Sequence, residues 1–134
     1  MSRILIVEDA AYVRELFRHT LTSHNYDIAG EASNGAEAVD KYRALKPDAV
    51  IMDLLMPVMD GITATKQIMD FDPKARIVVV SALMGPGIRE DALRAGAVDF
   101  VAKPFGMDRL LRAVGNACLS GGYASVRSRN GAKL

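Results

Sequence analysis

A single cysteine, Cys118, is all that the 134 residues contain. No intrachain disulfide and no cysteine metal site can form from it, so Cys118 reads as a small apolar residue on the last helix. No apolar stretch approaches the roughly 20 residues that a membrane-crossing helix needs. Met1-Ser2-Arg3 leads straight into a strand, with no signal-peptide core. The expected compartment is the cytoplasm. Excess charge of one sign is missing too: the formal net charge is +1. That balance supplies neither the field of a nucleic-acid binder nor a polybasic membrane patch. Histidine is scarce, and His19 and His24 read as solvated positions on or just past the first helix. What is plentiful is apolar content, 50% of the chain, in a length that suits one domain with a real core.

The apolar residues cluster in short runs. Ile4-Leu5-Ile6-Val7, Ala49-Val50-Ile51-Met52, Ile77-Val78-Val79-Val80 and Phe100-Val101-Ala102 are rich in β-branched residues and do not alternate with polar ones. Continuous apolar runs of this length are strands buried on both faces. Asp27 to Ala32 is a weaker fifth strand. Between the runs, apolar residues recur at three-four spacing: Val13, Leu16, Phe17, Leu21; Val39, Tyr42, Leu45; Ile62, Thr65, Ile68, Met69; Ile88, Ala92, Ala95; Met107, Leu110, Leu111, Val114, Cys118. Each stripe predicts a helix with an ordinary core face, and Gly96 is placed to end the fourth. Repeated strand-helix alternation implies an α/β domain, a parallel sheet with helices on both sides. Residues 1–119 form that domain in this reading. Ser120-Gly121-Gly122 breaks the last helix, and 120–134 reads as a flexible basic tail or a linker remnant.

Each strong run ends on a polar residue. Glu8-Asp9, Asp53, Ser81 and Lys103-Pro104 follow them in order. In an open parallel sheet, ligands bind beyond the carboxyl ends of the strands. Three converging carboxylates repel one another unless a cation is present, and Mg2+ suits oxygen ligands of this kind. Asp53 is the candidate nucleophile, because a carboxylate can attack phosphorus and hold it as an acyl phosphate. Lys103, the Ser81 hydroxyl and the backbone N–H of Ala82 would then neutralise the oxygens of the group in transit. Pro57 and Gly61 shape the loop after Asp53. Lys103-Pro104 invites a cis peptide that would aim the lysine at the site.

These segments resemble the receiver domain of bacterial two-component response regulators. Asp53-Leu54-Leu55-Met56-Pro57-Val58-Met59-Asp60-Gly61 is similar to its phosphoacceptor segment, Ser81-Ala82 to its switch pair, and Lys103-Pro104-Phe105 to the end of its fifth strand. The resemblance implies a flavodoxin-like, doubly wound (βα)5 fold of strand order 2-1-3-4-5. It implies Glu8, Asp9, Asp53 and the carbonyl of Leu55 as ligands for Mg2+, with Asp53 as phosphoacceptor. It further implies a histidine kinase as donor, and Ser81 and Phe100 as switch residues, the ring turning inward. The face of the fourth helix, fifth strand and fifth helix would then exchange partners, as a biased two-state equilibrium. Such a protein modifies only itself and is not an enzyme in the usual sense. Ser81-Ala82-Leu83 and Ala95-Gly96-Ala97-Val98-Asp99-Phe100 have the character of the stand-alone chemotaxis members. Expected partners are therefore a flagellar motor component or a phosphatase, with no nucleic acid and no membrane, and the expected state is a monomer or a weak phosphorylation-dependent dimer. Leu55 and Leu83 are expected to cover the phosphoryl group and slow its hydrolysis.

Three rival readings share the sheet. An FMN-binding flavodoxin-like protein needs Ser, Thr and Gly donors after the first strand, where Glu8-Asp9-Ala10-Ala11 stands instead. A hydrolase using an aspartyl-phosphate needs a second acid beside the nucleophile, where Leu54 and Leu55 stand. A receiver cut from a regulator with a DNA-binding or enzymatic output domain would look the same over residues 1–119.

Overall fold

The computed structural model describes residues 1–83 and 85–119. The tail or linker expected over 120–134 lies outside the described residues. Strands β1 (Arg3–Val7), β2 (Asp27–Ala32), β3 (Ala49–Asp53), β4 (Ile77–Ser81) and β5 (Asp99–Ala102) alternate with helices α1 (Ala11–Ser23), α2 (Gly35–Leu45), α3 (Gly61–Phe71), α4 (Ile88–Ala95) and α5 (Met107–Leu119). The strands form one sheet of order β2-β1-β3-β4-β5, and every neighbouring pair is parallel. This is the doubly wound, flavodoxin-like arrangement that the sequence led us to expect.

Two apolar layers explain why the strands do not alternate. Leu5, Val7, Val50, Met52, Ile77 and Val79 point to one face, against Ala38, Val39 and Tyr42 of α2, Ala64 and Ile68 of α3 and Ala92 of α4. Ile4, Ile6, Ile51, Val78, Val80 and Val101 point to the other, against Phe17 and Leu21 of α1 and Leu110, Ala113, Val114 and Ala117 of α5. Each such buried aliphatic side chain stabilises the fold by roughly 1.5–3 kcal/mol. With both faces dry, the polar groups at the strand ends are the chain's route to solvent on this sheet.

Local signals set the helix starts. Asn34 caps α2 by accepting from the Glu37 N–H at 2.9 Å, and Asp60 caps α3 by accepting from the Thr63 N–H at 2.9 Å. Gly96, at φ 121°, ends α4. The α1 stripe is narrower than expected. Leu16 is 49% exposed, while Phe17, Thr20 and Leu21 are the buried residues of that helix. The reason is a groove of about 420 Å³ between α1 and the segment after β5, lined by Val13, Leu16, Phe17, Lys103, Phe105 and Met107. No helix among the described residues is long and apolar enough to cross a membrane.

Candidate functional site

β1 and β3 are adjacent, so the residues that leave their carboxyl ends meet. Ligand atoms of Glu8, Asp9 and Asp53 lie within 4.8 Å of one another. That spread matches the span of one small oxygen-liganded cation, about 4 Å across. Glu8 is buried at 2% exposure and Asp53 at 4%, whereas Asp9 faces solvent.

Lys103 enters from the far side of the sheet, at the end of β5. Its Nζ donates to Glu8 Oε1 at 2.9 Å and stands 3.9 Å from Asp53 Oδ1. The second oxygen of Glu8 accepts from the Ala10 N–H at 3.2 Å. That bond serves the start of α1, where Ala10 has no capping side chain and the first turn holds no acid. Burial, reinforced by the charge of Glu8, pushes the Asp53 carboxyl up to about 6. Lys103 and the N–H groups of Leu54 and Leu55 oppose that rise. Asp53 is therefore an anion at neutral pH, yet more basic than an ordinary carboxylate, a combination that favours nucleophilic use.

Ser81 ends β4, fully buried, and its Oγ accepts from the Leu83 N–H at 3.0 Å. The Lys103 N–H donates to the Ser81 carbonyl at 2.8 Å, which ties the two strand ends together. The Lys103-Pro104 peptide is cis. These strand ends thus bring a buried carboxylate, two further acids and an ammonium together at one edge of the sheet, with a buried hydroxyl ending the neighbouring strand. The pattern of the family described as "Response regulator receiver domain" matches residues 4–115.

The chain belongs to the response regulator receiver family.

The chain is similar to chemotaxis proteins and to part of a larger enzyme. The chemotaxis protein CheY of Thermotoga maritima is 49% identical over 112 residues, covering 84% of this chain and 93% of that one. The protein-glutamate methylesterase/protein-glutamine glutaminase 1 of Methanosarcina mazei is 51% identical over 106 residues, covering 77% of this chain but 29% of that one. The crystal structure of the CheX–CheY–BeF3–Mg2+ complex from Borrelia burgdorferi superposes with a TM-score of 0.82 at 36% identity, covering 84% of this chain and 86% of that one.

The remaining sequence candidates scatter around the receiver site. Phe100 is buried in the α2–α4 layer with Val79, Ala92 and Ala97. Ala82 is exposed and lines the groove beside α1. Leu55 is 54% exposed, whereas Leu83 packs against the core, so the two leucines are not equivalent.

The loop after Asp53 is held more tightly than Pro57 and Gly61 alone would suggest. The Gly61 N–H donates to the Leu54 carbonyl at 3.1 Å, and the Gly35 N–H, from α2, donates to the Met59 carbonyl at 2.9 Å. A Cβ on Gly35 would meet the Met59 carbonyl oxygen at 2.5 Å. Between them, the Met59 N–H donates to the Pro57 carbonyl at 2.7 Å and Val58 takes φ 69°. This is a tight three-residue turn on a β-branched residue, a strained conformation. Gly35 is therefore a further loop-shaping residue, one that the sequence reading did not single out.

Proposed function

We propose that this receiver is a phosphorylation-activated signalling switch that accepts a phosphoryl group on Asp53 from a histidine kinase. The observation that carries the proposal is the meeting of a buried, basic Asp53 with Glu8, Asp9 and Lys103 at one sheet edge. An Asp53 oxygen attacks phosphorus, a new O–P bond forms, and the N–P bond of the donor phosphohistidine breaks. The imidazole leaves with the electron pair and takes a proton from solvent. Lys103 and the Ser81 hydroxyl would compensate charge on the transferred group. Glu8, Asp9, Asp53 and the Leu55 carbonyl would hold Mg2+, which supplies positive charge at the phosphoryl oxygens. Phe100 and Ser81 would relay occupancy to the face made by α4, β5 and α5, where output partners exchange. Residues 1–119 suffice as the receiver unit in this reading.

The 49% identity to a chemotaxis CheY, with nearly all of that protein covered, supports a chemotactic output such as a flagellar motor component or a phosphatase. A second reading, a receiver joined to an output enzyme, draws on the 51% identity to the receiver-sized part of a methylesterase. Incubation with Mg2+ and a small acyl-phosphate donor, followed by intact mass, tests the common core. The wild type should gain one phosphoryl adduct and Asp53→Asn none. A wild type that stays unmodified overturns the proposal. Binding of the modified form to a flagellar motor peptide separates the two outputs.

A further inference from the structure

β2 contains an irregularity. Ile4 pairs with Ile28, but Leu5 pairs with Gly30 and Ile6 with Glu31, so Ala29 has no opposite number. In a regular strand, residues three apart point to opposite faces. Here the extra residue resets the alternation, and Ile28 and Glu31 both reach the α1 side of the sheet.

Glu31 is there taken up by two guanidinium groups of α1. Arg14 Nε donates to Glu31 Oε1 at 3.3 Å, and Arg18 Nη1 donates to Glu31 Oε2 at 2.7 Å. With one edge committed to Glu31, Arg14 turns its Nη1 toward the acidic turn. That atom donates to the Glu8 carbonyl at 2.7 Å and to the Asp9 carbonyl at 3.3 Å. The Arg14 and Glu31 side chains are 21% and 27% exposed, so the pair is largely withdrawn from solvent.

We infer that Arg14 is a positioning residue for the cation site, oriented by the bulge-delivered Glu31. It acts on the backbone of Glu8 and Asp9, not on their carboxylates. Those carboxylates can serve one ion only if the turn that carries them is fixed, and a planar fork bonded at both ends fixes it. Partners that orient ligands in this way commonly govern metal affinity by tenfold or more. The inference rests on the Mg2+ reading of the proposed function.

The sign of the effect makes the test decisive. If Arg14 mattered only as a positive charge beside three acids, its removal would tighten Mg2+ binding. If it positions the turn, its removal weakens binding. Calorimetric titration of Mg2+ into the wild type, Arg14→Ala, Arg14→Lys and Glu31→Gln reads this directly, with urea unfolding to confirm that each is folded. We expect about tenfold weaker binding for Arg14→Ala, and weaker binding for Arg14→Lys despite its retained charge. Arg14→Ala combined with Glu31→Gln should bind no worse than Arg14→Ala alone, because the two act as one unit. Unchanged or tighter binding by the Arg14 variants overturns the inference and leaves the Mg2+ site standing. Should Arg14→Ala not fold, Arg14→Lys and Glu31→Gln carry the test. A wild type that binds no Mg2+ overturns the proposed site, and with it this inference.

Discussion

Lys103 reaches across the sheet to donate from Nζ to Glu8 Oε1 at 2.9 Å, closer than its 3.9 Å approach to Asp53 Oδ1. Glu8 is buried at 2% exposure, so the ammonium is what compensates its charge. Replacing one partner of a buried pair strands the other. Lys103→Met should therefore cost about 3 kcal/mol in the presence of EDTA. Saturating Mg2+ should recover part of that loss, since the ion supplies compensating charge. Urea unfolding under the two conditions measures both figures. An equal loss with and without Mg2+ contradicts the assignment.

Asp53 titrates at about 6 in the folded protein against an ordinary 3.8. Between these values the folded state holds a proton that the unfolded state has lost. Stability of the metal-free protein therefore falls as pH rises from about 4 to above 6. Above that window the ionised carboxylate costs about 2–3 kcal/mol. Asp53→Asn carries no such cost and should be more stable than the wild type at pH 7.5 in EDTA by up to that amount. The advantage should fade as pH falls toward 4. A stability difference that stays flat across this range would falsify the pH argument.

Gly61 lets the chain fold back on Asp53. A Cβ there would stand 2.1 Å from the Asp53 carbonyl oxygen and 2.9 Å from Leu54 Cα, both backbone atoms. Gly61→Ala should cost about 3 kcal/mol and impair phosphoryl uptake. Gly115, inside α5, is the contrast: a Cβ there meets the Tyr26 hydroxyl at an ordinary 3.4 Å. Gly115→Ala should stabilise the protein by up to about 1 kcal/mol. Thermal unfolding of the two variants checks the pair.

Leu55 and Leu83, two residues after Asp53 and Ser81, sit in different environments, one half exposed and one packed on the core. Leu55→Gln should shorten the acyl-phosphate lifetime severalfold by offering attacking water a polar neighbour, with little change in stability. Leu83→Gln should also destabilise the fold, because it removes core contacts. Release of phosphate after donor removal gives the lifetimes. An unchanged lifetime for Leu55→Gln removes Leu55 from this role.

The strand cores and the strand-end acids were legible in the sequence, because runs such as Ile4–Val7 and Ile77–Val80 have one stable placement, between two apolar layers. The small packing residues were less legible. Ala38, Ala64, Ala113 and Ala117 are buried, yet alanine favours any helix face and marks none. Leu16 looked like core and is exposed, because the groove beside Phe105 depends on the path of the chain after β5. The partner of Lys103 was also hidden. Sequence places the lysine at the sheet edge, but only the reach of the longer Glu8 side chain decides which acid it meets. The strained Val58 carried no sequence signal, since valine is a poor choice for that backbone.

The unpaired Ala29 makes β2 directional in a way that its composition does not. Transplanting this edge strand into a related receiver that lacks the irregularity would carry every side chain across, yet it would turn Glu31 toward the wrong helices. Arg14 would then be left to choose its own orientation. In this molecule the contact survives because Ala29 is passed over: deleting it would leave Glu31 opposite Ile6 and still facing Arg14, whereas pairing it with Leu5 would swing Glu31 to the far side of the sheet.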